Sequence, residues 1–438
     1  MEIKDNSYCQ LDEFWYPLDN AAKIFPAVIN DERTSVFRIS VVLKKPINIK
    51  KLYTSVNAIE HRFPYYKVKL KKGFFWYYLE SAKMTIPVEP DLNIPCRSFD
   101  PKGGMFRILV VKNKLSIEFS HILADGGGAF EFFKTLMAQY FTLCGVEIPS
   151  TFEYIKPGTK VQAQEFEDAY NRYFIENIPT NSKQSKSYHL PFALNNKPRF
   201  DVLTAFMSAS ELKAACSKKG VNITVYLTAV YLNSLQEIFE ESVANKKKLR
   251  HKKLSIQVPI NLRNLYPSKT MRNFSLFVMP EIDLRLGHYT FDEILKTVHH
   301  QMQLETEEKL INKILSRNVG SERKILIRSI PLFIKSFVLR MNYYSMGSSQ
   351  YCGVITNLGR IVLPPIMEEQ IEYFSVIAPP PNKKIKINCG IIGFGDKMVL
   401  TFGNISKSKE LEKRFLQFLV KQDINIEIKS QNIKNERV

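Results

Sequence analysis

Leu115-Ser116-Ile117-Glu118-Phe119-Ser120-His121-Ile122-Leu123-Ala124-Asp125-Gly126-Gly127-Gly128 changes its periodicity partway along. Up to His121, apolar and polar residues alternate as in a strand. Leu115, Ile117, Phe119 and His121 then share one face, and Ser116, Glu118 and Ser120 share the other. After Asp125 the glycines lead into Phe130, Phe133, Met137, Tyr140 and Phe141, which recur at helical spacing and predict a helix over 127–141. His121 closes the apolar row at the end of the strand. An imidazole there, before a glycine turn that lets a ligand approach the backbone, suits a general base. Asp125, four residues on, is placed to return through the turn and fix the loop. Two plainer readings stand beside this one: a core histidine with satisfied hydrogen bonds, and an aspartate that only caps the helix. The cap accounts for Asp125 alone. A His-x-x-x-Asp-Gly match is expected about 0.01 times by chance at these residue frequencies, so the spacing carries information.

Working outward, β-branched and aromatic residues predict a strand over 35–43, ended by Pro46. Leu52, Val56 and Ile59 predict a helix that Pro64 stops. An aromatic strand over 74–79 follows the turn at Gly73, and 105–111 with 115–121 form a hairpin around Lys112-Asn113-Lys114. From 150 to 198 the pattern weakens into polar sequence, most clearly over Pro179 to Ser187, which reads as a linker. Beyond it strands are predicted over 200–207, 254–258, 274–278, 351–356, 371–377, 385–392 and 397–403. Helices are predicted over 210–218, 224–239, 291–315 and 409–420. The expected organisation is two mixed α/β halves, 1–178 and 199–438, joined by a linker over 179–198.

The 438 residues are 45% hydrophobic and 24% charged, which excludes a disordered, collagen-like or small disulfide-stapled chain. Lys and Arg number 62 against 43 Asp and Glu, and the resulting +19 favours an anionic partner: nucleic acid, acidic lipid, an acidic carrier protein or a phosphate-rich cofactor. A lysine-rich solvated surface accounts for the charge equally well. The start shows no basic region followed by an apolar one, and no apolar run reaches the roughly 18 residues of a membrane span, so a cytoplasmic protein is expected. Six scattered cysteines without a Cys-x-x-Cys pair point to buried thiols in a reducing compartment. His299-His300 lacks acidic or cysteine partners at ligand spacing, so no metal is expected. The triple glycine lacks the Lys and Ser/Thr of a phosphate loop. The aromatics, 12% of the chain, follow core periodicity without an RNA-recognition motif, so nucleic acid is not the expected partner. Lys324, Arg328 and Lys335 place a basic face along the apolar segment 325–339, broken by Pro331. A packed helix with a solvated basic face is the preferred reading there, ahead of contact with a membrane or an acyl chain.

With these residues in hand, the sequence resembles the chloramphenicol-acetyltransferase-like superfamily of CoA-dependent acyltransferases. That superfamily includes alcohol acetyltransferases, plant acyltransferases with a His-x-x-x-Asp motif, and the condensation domains of nonribosomal peptide synthetases. The likeness runs through Phe14-Trp15-Tyr16-Pro17-Leu18-Asp19, Arg62-Phe63-Pro64, Met105-Phe106-Arg107 and His121 to Gly126. It continues through Val258-Pro259-Ile260-Asn261-Leu262-Arg263, Arg272-Asn273-Phe274 and Thr356-Asn357-Leu358-Gly359. Bacterial alcohol-acetyltransferase-like proteins look most similar. The resemblance implies an α/β fold of two similar mixed-sheet domains flanked by helices, with an active-site tunnel between them. It implies His121 as general base, Asp125 in structural support with Gly126, and Arg263 as the partner of Asp125; an ordinary surface arginine is the other reading of Arg263. Asn273, Thr356 and Asn357 would line the tunnel or donate to an oxyanion, or else be turn residues. The implied donor is an acyl-CoA, with an acyl-carrier protein as the alternative, and the acceptor is an alcohol or amine. A non-catalytic acyl- or lipid-binding homologue is the remaining possibility. The plant branch's Asp-Phe-Gly-Trp-Gly is absent; Gly393-Phe394-Gly395-Asp396 reads as a hairpin turn instead.

Overall fold

The computed structural model describes residues 13–179, 185–246 and 249–430. Two mixed sheets flanked by helices form the molecule. The first has five strands in the order Ile371–Ile377, Val36–Leu43, Lys114–Ser120, Phe106–Val111 and Val88–Pro90, antiparallel except for the last pair. Lys114–Ser120 lies at its centre and is buried from Leu115 onward. Its apolar face joins the core that also holds Phe132, Phe133 and Met137 of the helix Gly126–Leu143.

The polar face of that strand is equally buried. Glu118 stands in register with Arg38 on one neighbour and Arg107 on the other. Arg38 Nε donates to its Oε1 and Arg107 Nε to its Oε2, each at 2.8 Å, and Arg38 Nη1 reaches Asp91 at 2.9 Å. The ladder aligns the three charges across strands, which supplies the partners a buried carboxylate requires.

The second sheet runs in the order Ser275–Val278, Lys253–Asn261, Gly353–Ile361, Ile387–Phe394, Lys397–Asn404, Asp201–Ser208 and Ile426–Ser430, and Glu281–Asp283 also pairs with Lys253–Asn261. Gly353–Ile361 is parallel to both neighbours. The helix Ile223–Ala244 is apolar around most of its circumference and forms the centre of this half's core. A three-stranded sheet of Trp15–Pro17, Tyr77–Ser81 and Val68–Lys72 completes the described strands.

Four expectations are corrected. The aromatic strand begins at Tyr77, because Phe74 to Trp76 form the turn itself, where Gly73 N–H meets the Trp76 carbonyl at 3.0 Å. The long helix over 291–315 is two helices, Phe291–Glu305 and Glu308–Arg323, since Thr306 caps the first. Of the expected linker, residues 180–184 lie outside the described residues, while the polar stretch before it is packed: Tyr170 is buried with Phe274 and Leu276. Finally, the chain does not divide cleanly at 179–198, because Ile371–Ile377 leaves the second half to pair with Val36–Leu43 of the first. Among the described residues no helix is long and apolar enough to cross a membrane.

Candidate active site

Between the two sheets lies a cavity of 1490 Å³. Small-molecule pockets commonly measure about 300–1,000 Å³, so this volume has room for two reactants. His121, Asp125, Gly126, Asn273, Thr356 and Asn357 all line it, and Arg263 lies behind Asp125. The first three come from one half and the others from the opposite one.

His121 follows the last residue of Lys114–Ser120 and is half-buried. Its ring stacks on Phe25, with centroids 5.5 Å apart, and lies against Phe37 at 4.6 Å. Its backbone N–H donates to the Ser35 carbonyl at 2.9 Å, and Ser35 is held in the left-handed region at φ 54°. Its carbonyl accepts from Asn273 Nδ2 at 3.0 Å. The imidazole is therefore packed against two aromatic rings, and its residue is held at both backbone atoms. Burial lowers its pKa below the ordinary histidine value, and the nearby Asp125 carboxylate and Asn273 oppose that only in part. At neutral pH the ring is uncharged and able to accept a proton.

Asp125 performs the capping role and a second one. Its Oδ1 accepts the Gly128 N–H at 3.0 Å, while its Oδ2 accepts Arg263 Nη1 at 2.9 Å and the Phe274 N–H at 2.7 Å. Burial alone favours the neutral acid, but Arg263 and the two N–H donors hold the carboxyl below its usual value. Arg263 is not an ordinary surface arginine. Its Nε and Nη2 also donate to the Thr270 carbonyl and Nη2 to that of Arg272, at 3.1, 3.0 and 2.6 Å. One carboxylate thereby ties the His121 turn to the second half of the chain.

The glycines divide the work. A Cβ on Gly126 would meet only the tip of the Leu358 side chain, at 2.7 Å, whereas one on Gly128 would stand 2.1 Å from the Met271 carbonyl oxygen. Gly128 is the place where the helix and the second half approach backbone to backbone. Gly128→Ala is expected to cost about 3 kcal/mol in urea unfolding, because neither backbone can retreat without breaking the Asp125 cap.

Asn273 is buried, and its amide group donates to the His121 carbonyl and to Asp19 Oδ2, each at 3.0 Å. With both amide protons engaged, it positions His121 and has none left for an oxyanion. Burial raises Asp19 to about 6 against the pull of Arg272. Thr356 and Asn357 lie in Gly353–Ile361, whose pairing with Ile387–Phe394 shifts register between Asn357 and Arg360. The shift is accommodated by Gly359 at φ 80°, and Asn357 donates to Thr224 Oγ1 at 3.0 Å. Sequence reading missed Phe25 and Arg33, and it quoted Asp19 within the resemblance without giving it a role. Arg33 lines the cavity, buried and stacked 4.8 Å from Tyr343, and no pattern in its surroundings marks it. Among the described residues no group of His, Cys, Asp and Glu converges as metal ligands.

No family model matches this chain, and no curated protein does. Solved structures do. Polyketide synthase associated protein 5 from Mycobacterium tuberculosis is 11% identical with a TM-score of 0.60, over 92% of this chain and 96% of that one. The starter condensation domain of rhizomide synthetase, in a mutant form in complex with C8-CoA and Leu-SNAC, is 12% identical with a TM-score of 0.60, over 92% and 93%. The epimerization domain from the third module of tyrocidine synthetase B is 9% identical with a TM-score of 0.56, over 95% and 98%. This chain therefore has the fold of the condensation domains over nearly its whole length.

Proposed function

We propose that this protein transfers an acyl group from a thioester, acyl-CoA in the first instance, to a hydroxyl or amine of a second small molecule, with His121 as the general base. The observation that carries the reading is a neutral, immobilised imidazole facing a cavity large enough for donor and acceptor together. His121 takes the proton of the acceptor as its oxygen or nitrogen attacks the thioester carbonyl. The tetrahedral intermediate then collapses, the carbon–sulfur bond breaks, and the imidazolium returns the proton to the departing thiolate. No covalent acyl-enzyme forms. Gly126 and Gly127, at the N-terminus of an 18-residue helix and on the cavity wall, are our candidates for holding the oxyanion through backbone N–H groups. Asp125 and Arg263 position the histidine's turn and stay out of proton transfer. The donor places the reaction in the cytoplasm.

The test is thiol release from acyl-CoAs of increasing chain length, with pooled alcohols and amines. Acceptor-dependent release supports the reading. The fold likeness to condensation domains favours a second one, in which the donor is an acyl-carrier protein; turnover only from a carrier-bound acyl group selects it. Absence of release from both leaves a non-catalytic binder of acyl or lipid ligands.

The pH dependence follows from the lowered pKa of His121. Its protonated form is inactive, so kcat/KM is expected to rise with pH through a value below about 6.5 and to be level from about pH 7. An acidic limb centred above 7 in a pH–rate profile contradicts His121 as the base.

A further inference from the structure

The stretch from Lys324 to Tyr344 reverses the usual placement of polar and apolar side chains. It forms the helices Ile325–Arg328 and Leu332–Asn342 on either side of Pro331. Polar groups attach it to the molecule. The Leu332 N–H donates to the Phe74 carbonyl at 2.9 Å, and Arg340 Nε donates to the Ala27 carbonyl at 2.9 Å. Lys335, 4% exposed, donates to the carbonyls of Phe75 and Arg328, both at 3.1 Å, with its ammonium 3.8 Å from the centre of the Trp76 ring. The lysine expected on a solvated basic face thus points inward.

The outward face is apolar. Phe333, Ile334, Phe337, Val338 and Met341 recur at helical spacing along one side and all are exposed, Phe333 by 69% and Phe337 by 64%. Leu326 on the preceding helix is 84% exposed, and Phe74, at the hairpin tip bonded to this segment, is 71% exposed. Folded monomers rarely leave so continuous an apolar face to water. No Asp or Glu lies between Glu322 and Glu368, whereas Lys324, Arg328 and Arg340 are exposed beside the patch.

We propose that this face docks on an anionic phospholipid bilayer, the aromatic and aliphatic side chains entering the headgroup region and the basic residues meeting lipid phosphates. Charge complementarity selects this occupant: Lys324, Arg328 and Arg340 are exposed beside the apolar side chains, on a chain of net charge +19. The helix that carries the face also adjoins residues of the cavity wall. Tyr343, next after the helix, lines the cavity beside Arg33, and the helix packs on Phe25–Val28, whose Phe25 stacks on His121. Entry of a lipophilic substrate from the bilayer into that cavity would follow, a corollary that rests on the acyl-transfer reading. The docking does not.

Flotation of the full chain with phosphatidylcholine vesicles, with and without roughly 30 mol% phosphatidylserine, tests the proposal. Binding is expected to be about tenfold stronger to the anionic vesicles, and to fall about tenfold in Phe333→Glu/Phe337→Glu with an unchanged circular dichroism spectrum and unchanged thiol release toward a water-soluble acceptor. Lys324→Gln/Arg328→Gln, which leaves the apolar face intact, is expected to remove most of the anionic preference. His121→Ala is expected to bind vesicles as the wild type does, so failed acyl transfer and failed docking are separately visible. Absent binding by the wild type overturns the proposal, as does equal binding by the Phe333/Phe337 variant. A wild-type dimer that this variant makes monomeric, without vesicle binding by either, overturns it in favour of a self-association face.

Discussion

His121→Ala is expected to lower kcat/KM for acyl transfer about 10³-fold, or about 4 kcal/mol of transition-state stabilisation, while leaving the unfolding transition nearly unchanged. The magnitude follows from the role: a positioned base contributes about 10² to 10⁴, and among the described residues no other histidine lines the cavity to replace it. The small structural effect follows from the setting. His121 anchors its turn through backbone atoms, its N–H to Ser35 and its carbonyl to Asn273, and an alanine keeps both. Side-by-side thiol-release assays and urea melts separate the two quantities. A variant that folds normally and retains a tenth of the activity would refute the base assignment, and one that unfolds would restore the reading of His121 as a packing residue.

Arg263→Ala is expected to carry the largest stability cost we predict, about 3–5 kcal/mol, because it leaves the Asp125 carboxylate buried without its cation. The pH dependence identifies the cause. In the wild type the carboxyl lies below its ordinary 3.8, so the stabilisation from the pair is fully present above that value and is lost as pH falls through the lowered one. In the variant, burial is opposed only by the Phe274 and Gly128 N–H donors, so the carboxyl titrates higher than in the wild type and its protonation relieves the penalty at a higher pH. The difference in unfolding free energy between the two proteins should therefore shrink as the solution is acidified from pH 7. A difference constant between pH 7 and 4 would assign the loss to packing instead. Arg263→Lys is expected to recover only part of it, since one ammonium cannot also reach the Thr270 and Arg272 carbonyls in the fork geometry of a guanidinium.

The buried elements were the legible ones. Val36–Leu43 and Lys114–Ser120 announce themselves through β-branched and alternating residues, and the helix Gly126–Leu143 begins one residue before its apolar spacing predicts, at the Asp125 cap. Long-range placement was not legible. Ile371–Ile377 has the composition of any buried strand, and nothing in it says that its partner is Val36–Leu43, more than 300 residues earlier. The break at Thr306 is a partial case: the polar run Glu305 to Lys309 interrupts the apolar period, but only the packing of Glu308–Arg323 onto Tyr170 and Phe274 decides where the chain turns. Lys335 was misplaced for the same reason. Its spacing from Lys324 and Arg328 fixes an angle around a helix, while the side that faces protein depends on Phe75 and Trp76, far away in sequence.

For the site, the local sequence determined the strand, the turn, the cap and the spacing of His121 from Asp125, because hydrogen bonds and φ/ψ preferences within a few residues suffice to build them. Only the tertiary structure decided what surrounds them. It brings Arg263 to Asp125, seats Asn273 under the His121 carbonyl, and closes the cavity with Thr356 and Asn357. It also demands a glycine at 128, where the Met271 backbone crosses the helix. The lowered pKa of His121 belongs to this second group, since it comes from being walled in by Phe25, Phe37 and the opposite half of the chain. Burial is a property of neighbours in space, and a sequence orders neighbours only along the chain.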